Sequence, residues 1–191
     1  ATLSRPSLLV LPASLLANWK SEFQQFAPSL RLRFIHPSET GKADLEALAN
    51  DPENELAQID VALTTYSMIK RQHWILDTPW NLVILDEAQA IKNPNTHQTR
   101  AVKSLKSESR IALTGTPIEN RLSDLWSLFD FTCPGLLGNL STFLEFSKSL
   151  SSKGTNNYAP LRKLASPYIL RRLKTDKTVI SDLPEKTEVY A

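Results

Sequence analysis

Through the first two thirds of the chain one pattern recurs: a short run of Val, Ile and Leu, a few polar residues, then a stretch with apolar residues at helical spacing. Continuous apolar runs bounded by turn residues are what strands buried on both faces of a parallel sheet look like, and the helical stretches are their crossovers. The runs at 8–11, 32–35, 61–64, 82–85 and 111–114 predict five such strands. Leu15, Leu16, Trp19, Phe23 and Phe26 fall on one helical face behind Ser14, which predicts a helix capped by that serine, with the aromatic positions read as core. Met68, Ile69 and Ile75 predict a second helix. The fold class is therefore α/β.

From Glu119 onward the pattern becomes mostly helical. Leu122, Leu125, Trp126, Leu128 and Phe129 form one stripe, followed by Phe143, Leu144 and Phe146, and then Leu161, Leu164 and Tyr168. This predicts helices added to the sheet, with a mobile, turn-rich loop at 149–160 and an extended tail at 182–191. No internal repeat and no low-complexity block interrupts the series.

Composition narrows the classes. A chain of 191 residues with 41% apolar and 22% charged residues is ordinary for a globular protein, and no stretch reaches the length of a membrane span, which argues against a membrane role. The single cysteine, Cys133, excludes an intramolecular disulfide and a cysteine-built zinc site. His36, His73 and His97 show no metal-ligand spacing, which leaves a carboxylate–metal nuclease short of ligands. The net charge is only +2, yet residues 148–177 carry eight Lys and Arg against Asp176 alone. Such a run is either a phosphate-facing surface or a solvated helix face. The chain starts at Ala1 without an initiator Met, and its first apolar run is too short and too early for a secretory signal, so we read a segment of a longer protein.

The chemistry concentrates in WNLVILDEAQAIKNP, residues 80–94, where an apolar run ends in Asp86 and Glu87. Ligands of open parallel sheets bind beyond the carboxyl ends of the strands. Where a strand breaks into a turn, neighbouring carboxylates can face one crevice at different depths, one reaching a magnesium ion through its waters and the other polarising an attacking water. The alternative is that the pair merely ends a strand and favours the start of a following helix. A second stretch, RIALTGTPIEN at 110–120, ends another strand in Thr114, Gly115 and Thr116, where the two hydroxyls flanking the glycine suit a relay between the acid loop and a moving partner, or the stretch is a plain turn.

Taken together, LLVLPASLLANWKSEF, VALTTYSMI, DEAQAIKNP and LTGTPIENRLSDLWSLFDF resemble, in order, motifs of Swi/Snf-type ATPases within the superfamily 2 helicase-like proteins, and PYILRRLKTDKTVISDLPEKTEVY resembles the passage toward their second lobe. The resemblance covers nearly the whole chain. It implies a RecA-like parallel sheet with flanking helices plus an appended helical subdomain: 1–118 as a partial first lobe, 119–180 as a helical protrusion, 181–191 as a linker. It also implies ATP and magnesium as cofactors, with Asp86 as the magnesium-associated carboxylate and Glu87 as the water-activating base. Gln89 stands where His is the more familiar occupant; it keeps a hydrogen-bonding amide that does not titrate. Thr114, Gly115 and Thr116 are implied to couple nucleotide state to DNA grip, and Pro12, Ser14, Thr64 and Thr65 to meet the sugar-phosphate backbone. Arg171 and Arg172 are candidate DNA contacts in the basic run.

A phosphate-cradling GxxxxGK[ST] loop is absent from the sequence; Thr40, Gly41, Lys42 and Ala43 come nearest and follow the wrong strand. The resemblance places that loop before Ala1 and an arginine-supplying second lobe near or beyond Ala191. The expectation is a fragment, monomeric and nearly inactive alone, of an ATP-dependent double-stranded-DNA translocase that remodels protein–DNA complexes. Its location is expected to be cytoplasmic and nucleoid-associated in a prokaryote, nuclear in a eukaryote. A strand-separating helicase and a non-enzymatic DNA-binding or docking module are the rival readings.

Overall fold

The computed structural model describes residues 5–115, 122–151 and 159–170. These form two compact units, 1–145 and 146–191, which are taken separately. The first is built on five strands: β1 (Ser7–Leu11), β2 (Leu32–Ile35), β3 (Val61–Thr65), β4 (Trp80–Leu85) and β5 (Ser107–Ala112). All pair in parallel, in the order β2-β3-β1-β4-β5.

Connectivity follows from handedness. The chain leaves β1 toward one edge of the sheet to form β2, and every later strand is added in the opposite direction, so right-handed crossovers must put the first connection on one face and the rest on the other. The first connection contains α1 (Leu16–Phe26). Leu16, with Trp19 and Phe23 beside it, packs on Leu9, Leu11 and Leu63. The later connections carry α2 (Lys42–Asn50), α3 (Pro52–Leu56), α4 (Tyr66–Arg71), α5 (Trp74–Asp77) and α6 (His97–Lys103). From these, Leu48, Leu56, Ile69, Ile75 and Val102 join Leu8, Val10, Val83 and Leu85 in the larger core. Alternate residues of β1 thus serve opposite faces, as the pleat requires. Deleting a side chain there leaves a cavity: Leu8→Ala is expected to cost about 3 kcal/mol, read as a lower urea midpoint.

Four strands lie where the apolar runs predict them. The fifth is shifted: expected at 111–114, it spans Ser107–Ala112. It lies at one edge of the sheet among the described residues, with Glu108, Ser109 and Ile111 exposed, so its polar first half carries no buried-strand signature. Ser14 is also not a helix cap. Pro12 starts a 3-10 turn over Ala13–Leu15, and α1 begins after Leu15 without a side-chain cap. The stretch around Met68 and Ile75 forms two short helices, α4 and α5, rather than one.

The first described helix after β5 packs on the sheet. α7 (Leu122–Thr132) buries Leu128 and Phe131 in the larger core, and Ser127 Oγ donates to the main-chain oxygen of Ile91 at 2.7 Å. Lys103 Nζ lies 2.8 Å from Asp130 Oδ2 and sits over the Trp126 ring, and Arg110 donates to the Phe131 carbonyl at 3.2 Å. The first compact unit continues through Glu145. α8 (Leu140–Ser151) begins in that unit, and α9 (Ala159–Ala165) with a 3-10 turn at Ser166–Tyr168 belongs to the second. The loop expected at 149–160 lies mostly outside the described residues, and the tail at 182–191 wholly so. Among the described residues no helix is long and apolar enough to cross a membrane.

Candidate nucleotide-hydrolysis site

Between β1 and β4 the direction of strand addition reverses. This is the switch point at which open α/β sheets bind ligands. Val10 registers with Leu85 on one side and Thr64 on the other, and the Asp86 N–H donates to Val10 O at 2.8 Å, so the acid pair starts at the carboxyl rim of that gap.

The pair is held by a set of hydrogen bonds. Asp86 Oδ2 accepts from the Trp19 indole N–H at 2.8 Å, and Asp86 Oδ1 accepts from the Glu87 N–H at 2.8 Å. The Tyr66 hydroxyl donates to the main-chain oxygen of Asp86 at 2.7 Å. Glu87 is the one non-glycine residue with positive φ among those described, at φ 49° and ψ 51°. This left-handed conformation costs a side-chain-bearing residue about 1 kcal/mol and persists where surrounding contacts impose it. It turns the Glu87 carboxylate to Gln89, whose Nε2 donates to Glu87 Oε2. Gln89 Oε1 in turn accepts from the Thr114 hydroxyl at 2.9 Å. The main chain links the same two loops: Ala88 N donates to Leu113 O at 2.8 Å and Leu113 N to Leu85 O at 2.7 Å. Asp86, Glu87, Gln89 and Thr114 are all partly exposed, so the network borders solvent. Burial, reinforced by the charges of Asp86 and Glu87, pushes the Tyr66 hydroxyl well above its ordinary pKa and keeps it a donor.

The donor set fits a magnesium ion held through water. Each Asp86 oxygen accepts one hydrogen bond in the structure, leaving acceptor capacity on both for metal-bound water. Among the described residues no cluster of three or more His, Cys, Asp or Glu could cage a metal, and magnesium characteristically relies on one or two carboxylates plus substrate phosphates.

The other expected residues fall as follows. Pro12 and exposed Ser14 occupy the 3-10 turn at the carboxyl end of β1, beside the acid loop in sheet order. Thr64 and Thr65 end β3, the next strand, with both side chains buried: Thr64 Oγ1 donates to Ile35 O at 3.1 Å, and Thr65 Oγ1 caps α4 by accepting from Met68 N at 3.3 Å. Gly115 follows Thr114, is exposed, and has open space where a Cβ would stand. Thr116, Arg171 and Arg172 lie outside the described residues. Gly41 caps α2 beyond edge strand β2, three strands from β4, and Lys42 pairs with Glu46 at 3.6 Å, so that turn cradles nothing at the switch point. A polar recess of about 420 Å³ lined by Ser107, Glu108 and Arg110 lies at the start of β5, the opposite end of the sheet.

Two contacts of the acid pair escape reading along the chain. Trp19 reads as core because it sits on the apolar face of α1, and Tyr66 reads as one more aromatic at a helix start. Their only signal is a polar tip on an otherwise apolar ring, which seeks a partner when buried.

The parallel sheet thus carries an acid pair at its carboxyl rim, bonded through Gln89 to Thr114 at the end of the next strand. The chain belongs to the SNF2-related domain family, which matches residues 1–191. It is 41% identical over 190 residues to "Uncharacterized ATP-dependent helicase MG018" of Mycoplasma genitalium, a match covering 97% of this chain and 17% of that protein. Identity to the human DNA excision repair protein ERCC-6 is 36% over 197 residues, covering 96% of this chain and 13% of that one. Among solved structures, the Sulfolobus solfataricus SWI2/SNF2 ATPase core in complex with dsDNA superposes with a TM-score of 0.80 at 42% identity, covering 95% of this chain and 36% of that chain. The chain therefore spans well under half the length of these relatives, and the RecA-like architecture expected from its motifs is the fold it has.

Proposed function

We propose that this chain is the acid-pair portion of an ATP-driven translocase on double-stranded DNA, and that the whole protein uses this movement to remodel protein–DNA complexes. The carrying observation is the unbroken path from Glu87 through Gln89 to Thr114 at the sheet's switch point. Glu87 takes the proton of the attacking water, Asp86 would hold magnesium, and Thr114 reports the state of that site to the loop after β5. When bound, magnesium neutralises charge on the phosphates. DNA meets the turn at Pro12 and Ser14 and the turn after β3; since the Thr64 and Thr65 hydroxyls are engaged internally, contact at the second turn runs through its main chain.

ATP hydrolysis by the full-length protein, measured with and without duplex DNA, tests this reading; hydrolysis indifferent to DNA, or none, counts against it. Displacement of a third strand from a triplex without separation of the duplex would set translocation apart from strand separation. The 191-residue chain alone should turn over ATP at no more than background, because its sequence contains no GxxxxGK[ST] loop to position the phosphates. For Arg171→Ala with Arg172→Ala we expect weaker duplex binding and a salt slope reduced by roughly 0.9 for each phosphate that is no longer neutralised. An unchanged slope assigns that basic run to solvent.

A further inference from the structure

Both ends of the peptide unit joining Asp86 to Glu87 are hydrogen-bonded. Its carbonyl oxygen accepts from the Tyr66 hydroxyl and its N–H donates to Asp86 Oδ1, while Trp19 holds the same carboxylate by its other oxygen. The orientation of this peptide sets the left-handed conformation of Glu87, and with it the direction of the carboxylate. The two donors come from two different places. Trp19 stands in the first turns of α1, which follows directly on the 3-10 turn at 13–15; Tyr66 opens α4, immediately after Thr65. Each therefore joins the acid pair to one of the two turns proposed to touch DNA. Trp19 is partly exposed and lies against Phe23 with ring centroids 5.7 Å apart and planes tilted by 41°, whereas Tyr66 is 6% exposed.

We infer that Trp19 and Tyr66 are positioning residues: they fix the Asp86–Glu87 peptide so that displacement of either DNA-facing turn reorients the Glu87 carboxylate, which makes hydrolysis depend on DNA. The inference rests on the reading proposed above, though its geometric half stands apart from it. Each acts through Asp86, the group it is hydrogen-bonded to. A rigid indole or phenol reaching across from a neighbouring element transmits a shift of its helix directly, because few torsions lie between.

The test uses Trp19→Phe and Tyr66→Phe in the full-length protein, each removing one donor and keeping a ring. With a neutral donor removed at Tyr66 and a donor to a carboxylate removed at Trp19, we expect kcat with saturating duplex DNA to fall about ten-fold or more, with KM for ATP and duplex affinity unchanged. The factor by which DNA stimulates hydrolysis should shrink with it. Independently of any turnover, exchange of the Glu87 backbone amide with deuterium should quicken about ten-fold, at an unchanged melting temperature. Unchanged amide exchange in both variants overturns the inference. Faster exchange with undiminished DNA stimulation overturns its coupling half. Faster exchange in a protein whose wild type shows no DNA-stimulated ATPase upholds the positioning and instead sinks the proposed function. If Trp19→Phe weakens the packing of α1, Tyr66→Phe carries the test alone.

Discussion

Glu87→Gln in the full-length protein is expected to lower kcat for ATP hydrolysis by about 10²–10⁴, while ATP and duplex DNA still bind. An amide at this position keeps the shape and the capacity to accept the hydrogen bond from Gln89, yet has no basic site for the proton of the attacking water. Single-turnover kinetics beside equilibrium nucleotide binding would separate the loss of chemistry from loss of affinity; a fall of less than about three-fold, well below the range for a general base, would remove Glu87 from that role. The backbone supplies a companion result. Because Glu87 is left-handed, Glu87→Gly should be more stable than Glu87→Ala by about 1 kcal/mol, the reverse of the usual order in ordered segments. Urea denaturation compares the two directly, since both lack the carboxylate.

How much of this was legible along the chain follows from what each residue packs against. Leu8, Leu9, Val10 and Leu11 are buried on both faces, so β1 announces itself as an uninterrupted apolar run, and β2 through β4 follow suit closely enough to be placed. β5 does not, because an edge strand with one open side tolerates Glu108 and Ser109, and only its last residues look like a strand. The acid pair was legible because it ends β4, and its neighbourhood with Thr114 because consecutive parallel strands tend to lie side by side. The clamp around it was not. Trp19 and Asp86 are 67 positions apart and Tyr66 and Asp86 are 20, so no spacing rule connects them. Nor does Glu87 advertise its φ, since Gly, Asn and Asp are the residues that signal a left-handed turn. What α7 packs against was not legible for a related reason: its stripe reads the same whether it faces another helix or, as Leu128 and Phe131 do, the core shared with the sheet.

The second large effect concerns Gln89, whose amide uses both ends at once: Nε2 donates to the Glu87 carboxylate and Oε1 accepts from the Thr114 hydroxyl. Gln89→Leu preserves bulk and removes both bonds. A hydrogen bond to a charged group contributes about 1.5–3 kcal/mol, so DNA-stimulated kcat should fall about ten- to a hundred-fold. Thr114→Val removes the outer bond, leaves the Gln89–Glu87 bond in place and should cost less. Combining them discriminates a relay from two separate contributions. If Thr114 acts on Glu87 through Gln89, Thr114→Val adds nothing in a protein already carrying Gln89→Leu, and the coupling energy between the two positions equals the whole effect of Thr114→Val. Additive losses would mean that Thr114 reaches the hydrolysis step by another route, and the path from the acid pair to the threonine turn would then be structural scaffolding.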